Sequence, residues 1–138
     1  MTTIDPPILR THAISPLHVT IDEGRSAPVE PGHLSARIMQ YGSMELRWYA
    51  PRDDDKQVPH DRDELYVIQS GSAVFARADE SYPFGDDVMI SVRGMTKVEA
   101  RPGDVLFVPA GTEHRFESMS SDFGAWIIFH GPEGGERP

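Results

Sequence analysis

The chain has 138 residues, 38% hydrophobic and 25% charged, which is the balance of one soluble globular domain and too short for two well-cored ones. Thirteen Lys and Arg against 22 Asp and Glu leave a formal charge of −9, which excludes a protein that tracks nucleic-acid phosphates with a basic face. The absence of cysteine excludes disulfides, thiolate nucleophiles and Cys-ligated zinc, and no apolar run nears the roughly 20 residues of a membrane helix.

The N-terminal MTTIDPPILR lacks the basic start and apolar stretch of a secretory signal, so a cytoplasmic protein is expected. Twelve Gly and 12 Pro punctuate the chain, and no window holds an apolar period of 3.6 with a cap at each end. An all-β fold of short strands is predicted. Pro6, Pro7, Pro16, Pro28 and Pro31 interrupt residues 1–34, which read as an N-terminal arm with one or two short edge strands. A barrel is expected over residues 35–132, with a Gly/Pro-rich tail over 133–138.

Strand-like sequence starts at Ala36 and continues over 44–49, where Met44, Leu46 and Trp48 alternate with Glu45, Arg47 and Tyr49. If its face is interior, Arg47 is an anchor for an anionic substrate; otherwise it is a solvated strand residue. Residues 51–56, with Asp53, Asp54 and Asp55, read as a solvated loop. The strand 64–69 runs into a turn at Gly71, and 72–77 reads as the returning strand of a hairpin. A polar loop over 79–87 precedes strands at 88–92 and 96–100, joined near Gly94. Strands at 105–108, from His114 to about Ser118, and at 125–129 complete about ten, which implies a sandwich or barrel.

Three side chains carry chemistry. Glu64 opens the apolar run ELYVI with Tyr66 and Ile68 as its parity mates, and a carboxylate on an interior face needs a cation or a metal. His60 stands just before that run. His114 enters its strand with Phe116 on the same face. His130 shares parity with Trp126 and Ile128 and is a candidate acid–base group at the barrel mouth, or else a solvent-exposed turn histidine. Tyr66 is a candidate for offering a phenol to substrate, although strand tyrosines usually serve packing. His12, His18 and His33 are assigned no function.

Gly103, Pro109, Gly111 and His114 fall in the spacing G(x)5PxGxxH, and this segment resembles the second motif of the cupin superfamily, with Ser118 where that motif ends in Asn. His60, Glu64 and Gly71 fit the later part of the first cupin motif, HxH(x)3,4E(x)6G, with Val58 in the place of its first histidine. The segment from Trp126 to Glu136 resembles small single-domain bacterial cupins of the conserved-barrel type. The resemblance implies a jelly-roll β-barrel of two antiparallel sheets. It also implies that His60, Glu64 and His114 hold one divalent metal ion (Fe, Zn, Mn or Ni). Gln57 is the residue nearest the missing histidine, but strand parity turns it away from the Val58 face, so it substitutes only if the loop bulges. The expected function is a metal-dependent enzyme acting on a small polar or aromatic molecule, dioxygenase-like first and an isomerase or decarboxylase next. The alternative is a non-catalytic cupin that binds a small molecule with or without metal. The expected partners are a small-molecule ligand or substrate and a second copy in a homodimer, with neither nucleic acid nor membrane.

Overall fold

A computed structural model describes residues 17–78 and 94–138. The predicted strand at 88–92, the loop at 79–87 and the first half of the N-terminal arm, His12 included, lie outside the described residues.

Eight strands are described: β1 (Ala36–Tyr41), β2 (Met44–Tyr49), β3 (Asp63–Ser70), β4 (Ala73–Ala78), β5 (Met95–Ala100), β6 (Val105–Val108), β7 (His114–Glu117) and β8 (Gly124–His130). They form two antiparallel sheets, one of five strands in the order β1-β2-β8-β3-β6 and one of three in the order β5-β4-β7. The all-β barrel expected from the sequence is therefore present. Its apolar core takes alternate residues from both sheets: Tyr66 and Ile68 from β3, Phe75 from β4, Phe116 from β7, Ile127 and Phe129 from β8. Tyr66 stands edge-on to Phe116 at 4.9 Å between centroids, and Phe116 meets Phe123 at 4.9 Å, so an aromatic stack fills the closed end.

The structure corrects two local expectations. β3 and β4 do not form a hairpin, because β3 pairs with β6 and β8 while β4 pairs with β5 and β7. The chain crosses between sheets at Gly71, which has a φ of +70° and passes tightly under Phe123. A short turn beside glycine serves a sheet crossing as readily as a hairpin, so sequence alone does not separate them. Within residues 17–34, a helix stands where an edge strand was expected: α1 (Ile21–Ser26). Thr20 caps it, and its backbone N–H donates to Glu23 Oε1 at 2.7 Å, which completes a capping box. Six residues make no stable helix alone. This one rests its buried Gly24 against the Trp126 ring on the outer face of the five-stranded sheet.

At Gly71 a Cβ would stand 2.6 Å from Phe123 Cα and 2.7 Å from its nitrogen, in a left-handed conformation. Gly71→Ala is expected to cost about 3 kcal/mol or more, by steric and conformational strain together. Chemical unfolding of the variant beside wild type measures it.

Candidate metal centre

β3 alternates as the sequence predicts. Glu64, Tyr66 and Ile68 face the interior, each at most 1% exposed, while Leu65 and Val67 are half-buried on the other face. β7 likewise turns His114 and Phe116 inward. The two motifs meet because Glu64 pairs with Val108 across β3 and β6, and the loop after β6 is tied to the loop before β3. In that tie Gly111 N–H donates to the His60 carbonyl at 2.7 Å, and Ala110 N–H donates to Asp63 Oδ1 at 2.9 Å. Gly111 has a φ of +79°, a conformation glycine adopts without strain. The tail closes on the same place: Gly134 N–H donates to the Asp61 carbonyl at 2.6 Å and Glu136 N–H to Asp63 Oδ2 at 2.9 Å.

His60, Glu64 and His114 converge, each offering one donor atom within 4.8 Å of the others. Glu64 Oε1 lies 3.3 Å from His114 Nε2 and 3.7 Å from His60 Nε2. Neither oxygen of Glu64 receives a hydrogen bond, and His114 Nε2 is likewise unpartnered among the described residues. The other ring nitrogen, His114 Nδ1, lies 2.8 Å from the Thr112 carbonyl. A carbonyl only accepts, so Nδ1 carries the proton and the neutral ring presents its Nε2 lone pair to Glu64. Such an outer hydrogen bond orients a metal-bound histidine. A buried carboxylate with no donor beside a lone pair with no partner is the donor set of a divalent cation, so these residues fit a metal.

The neighbours of the cluster were not all legible in the sequence. Val58, in the place of a first motif histidine, is 67% exposed and points away. The segment from 50 to 62 contains no strand, and this irregular path turns Gln57 inward. Gln57 Oε1 lies 3.2 Å from His60 Nε2 and accepts the Tyr66 hydroxyl at 2.7 Å. Asp55, read from sequence as part of a solvated loop, is instead a half-buried hub. It accepts Gln57 Nε2 at 2.9 Å, the Phe116 N–H at 2.7 Å and the Tyr49 hydroxyl. Its signal was hidden because only one of three consecutive aspartates points in. His130 matches the second of its two readings: it is exposed at the end of β8, on the outer face with Trp126 and Ile128, whereas Ala125, Ile127 and Phe129 face the interior. Tyr66 does border the cluster, its ring centroid 6.1 Å from that of His114, and burial holds its phenol well above its usual pKa. Arg47 faces the interior and is buried, not solvated.

The comparisons agree with this architecture. No protein-family model matches the chain. An uncharacterised protein of Streptomyces coelicolor is 34% identical over 79 residues, which is 57% of this chain and 60% of that relative's length. A cupin-2 domain protein of Shewanella frigidimarina superposes with a TM-score of 0.53 at 15% identity, over 82% of this chain and 94% of its own. An RmlC-like cupin of Methanocaldococcus jannaschii with a double-stranded β-helix fold gives 0.51 at 10% identity, over 78% and 89%. The fold is that of a small cupin. Within this cupin barrel the His60, Glu64 and His114 cluster borders the aromatic stack through Tyr66.

In the metal-free protein the two histidines titrate oppositely. Burial opposes protonation of both. It prevails at His60, holding it below its ordinary value against the pull of Glu64. At His114 the Glu64 carboxylate and the Thr112 carbonyl outweigh burial and raise it. A raised histidine adds stability that is complete below its unfolded value, about 6.5, and is lost as pH rises through the folded value. His60 does the reverse, losing its contribution as pH falls through its lowered value. Histidine ring titrations by NMR on metal-free protein are expected to show this split, with His114 falling below its ordinary value in Glu64→Gln. A His114 unmoved by Glu64→Gln contradicts it.

Proposed function

We propose that this cupin is a metal-dependent enzyme of small molecules, with one divalent ion held by His60, Glu64 and His114. The observation that carries the reading is Glu64, buried with both oxygens lacking a hydrogen bond among the described residues, beside the likewise unpartnered Nε2 of His114. Two imidazoles and one carboxylate leave coordination positions open and suit non-haem iron(II), which makes oxygenation of a small polar or aromatic substrate the favoured chemistry. Bound there, the metal would polarise a substrate oxygen or support reaction with dioxygen.

The chain's own residues supply orientation and access. A cavity of about 360 Å³ reaches the cluster on the His60 and Gln57 side. Glu64 and His114 are buried behind these two, so substrate approaches from one direction. Gln57 is the fourth donor or holds a substrate oxygen beside His60. Tyr66 keeps its proton because burial disfavours the phenolate, and its hydroxyl fixes the Gln57 amide by donating to Oε1.

Metal analysis and oxygen uptake test the reading. Untagged wild type reconstituted anaerobically with Fe(II) is expected to hold close to one equivalent, and folded His114→Ala less than about a tenth of that. Protons compete for the same nitrogen, so affinity should climb with pH below the raised His114 value, by about tenfold per unit for each proton displaced. Absence of metal from wild type with Fe(II), Mn(II), Ni(II) and Zn(II) alike would overturn the proposal.

A further inference from the structure

The cavity beside the cluster carries a charge pattern that metal binding does not use. β2 turns Glu45, Arg47 and Tyr49 into the barrel, and Glu45 gathers three guanidinium groups: Arg47, Arg62 at 2.8 Å and Arg37 at 3.4 Å. Burial disfavours the Glu45 charge, but Arg62 and Arg47 outweigh it and hold the group ionised. The lining has these three cations against Glu45 and the exposed Asp61, one positive charge in excess within a chain of net charge −9.

The three arginines are not equivalent. Arg47 is committed, with Nε donating to Ser35 Oγ at 2.6 Å, Nη2 to the Ser35 carbonyl at 2.9 Å and Nη1 to Glu45. Arg62 donates from Nη1 to the Ser43 carbonyl at 2.9 Å and lies 5.1 Å over the Phe129 ring. Arg37 is about half exposed, and its two terminal nitrogens meet no acceptor among the described residues. It is the guanidinium left to pair with a ligand.

Sheet register sets the distance to the metal cluster. Glu45 pairs with Phe129, and Phe129 pairs with Glu64, so the three form one row across β2, β8 and β3. Strands stand about 4.8 Å apart, which places the two glutamate backbones about 10 Å from each other with the Phe129 ring between them. That ring meets His60 at 5.1 Å on one side and Arg62 on the other.

We propose that the cavity selects a small organic acid, its carboxylate paired with Arg37 beside Arg62, its body on Phe129 and its far end at the metal cluster. Guanidinium matches carboxylate in a bidentate, planar way that an amide does not reproduce. Only the far end rests on the metal reading above.

Calorimetric titration of glutarate and of its monoamide glutaramate into Mn(II)-loaded protein tests this, with succinate and adipate bracketing the length. In wild type at least one diacid is expected to bind about tenfold tighter than its monoamide. Arg37→Gln should erase that preference, Arg37→Lys should keep it within about threefold, and Mn(II) affinity should stay unchanged in both. In metal-free wild type the diacid should bind more weakly yet still lose affinity in Arg37→Gln. Equal diacid affinity in wild type and Arg37→Gln, with or without Mn(II), would overturn the proposal. A wild type that takes no Mn(II) but still binds diacid through Arg37 would overturn the metal reading and leave the acid pairing standing.

Discussion

A carboxylate inside an apolar barrel is costly unless a cation or hydrogen-bond donors meet it, and among the described residues Glu64 accepts no hydrogen bond. Strand parity forces this placement. Tyr66 and Ile68 must face the core, so the residue two before Tyr66 faces it too. Two imidazole nitrogens stand close by, at 3.3 and 3.7 Å from Glu64 Oε1. In the neutral His114 ring the Thr112 carbonyl claims the proton on the far nitrogen, which leaves the near nitrogen's lone pair toward Glu64. The barrel thus gathers one carboxylate and two imidazoles whose donor atoms lie within 4.8 Å of one another, a set that fits a divalent cation.

Support for that set is built in depth. Asp55 ties the approach loop to Tyr49, Gln57 and the backbone of β7 at the Phe116 N–H. Gln57 passes the constraint to Tyr66 and His60. Asp63 fastens the loop before His114 and the C-terminal segment to the start of β3. The candidate ligands come from two sheets and one loop, with His60 held through Gln57 and the Gly111 N–H, and His114 through the Thr112 carbonyl. Across Phe129, the Glu45 cluster repeats the principle with opposite sign, one carboxylate holding guanidiniums in a cavity.

Much of this was readable in the sequence, and the misses have physical causes. Period-two alternation placed Glu64 with Tyr66 and His114 with Phe116, because β3 and β7 each have one plainly apolar face. The same alternation left the interior face of β2 undecided. There the polar set Glu45, Arg47 and Tyr49 is interior, while Trp48 is buried on the outer face with Trp126, 4.9 Å between ring centroids. A barrel with a charged cavity has two candidate interiors per strand, and hydrophobicity alone picks the wrong one. The Thr20 and Glu23 capping box was present in the sequence, but six residues are too few for a helical period to register. Asp55 and Gln57 lie in an irregular loop where parity carries no information.

Anomalous diffraction from crystals soaked with Mn(II), collected on either side of an absorption edge of the metal, tests the central claim most directly. A single peak between His60 Nε2, Glu64 and His114 Nε2, about 2.0–2.2 Å from each donor, is the predicted result. A wild type with no peak there, or with metal only on surface carboxylates, would contradict the account.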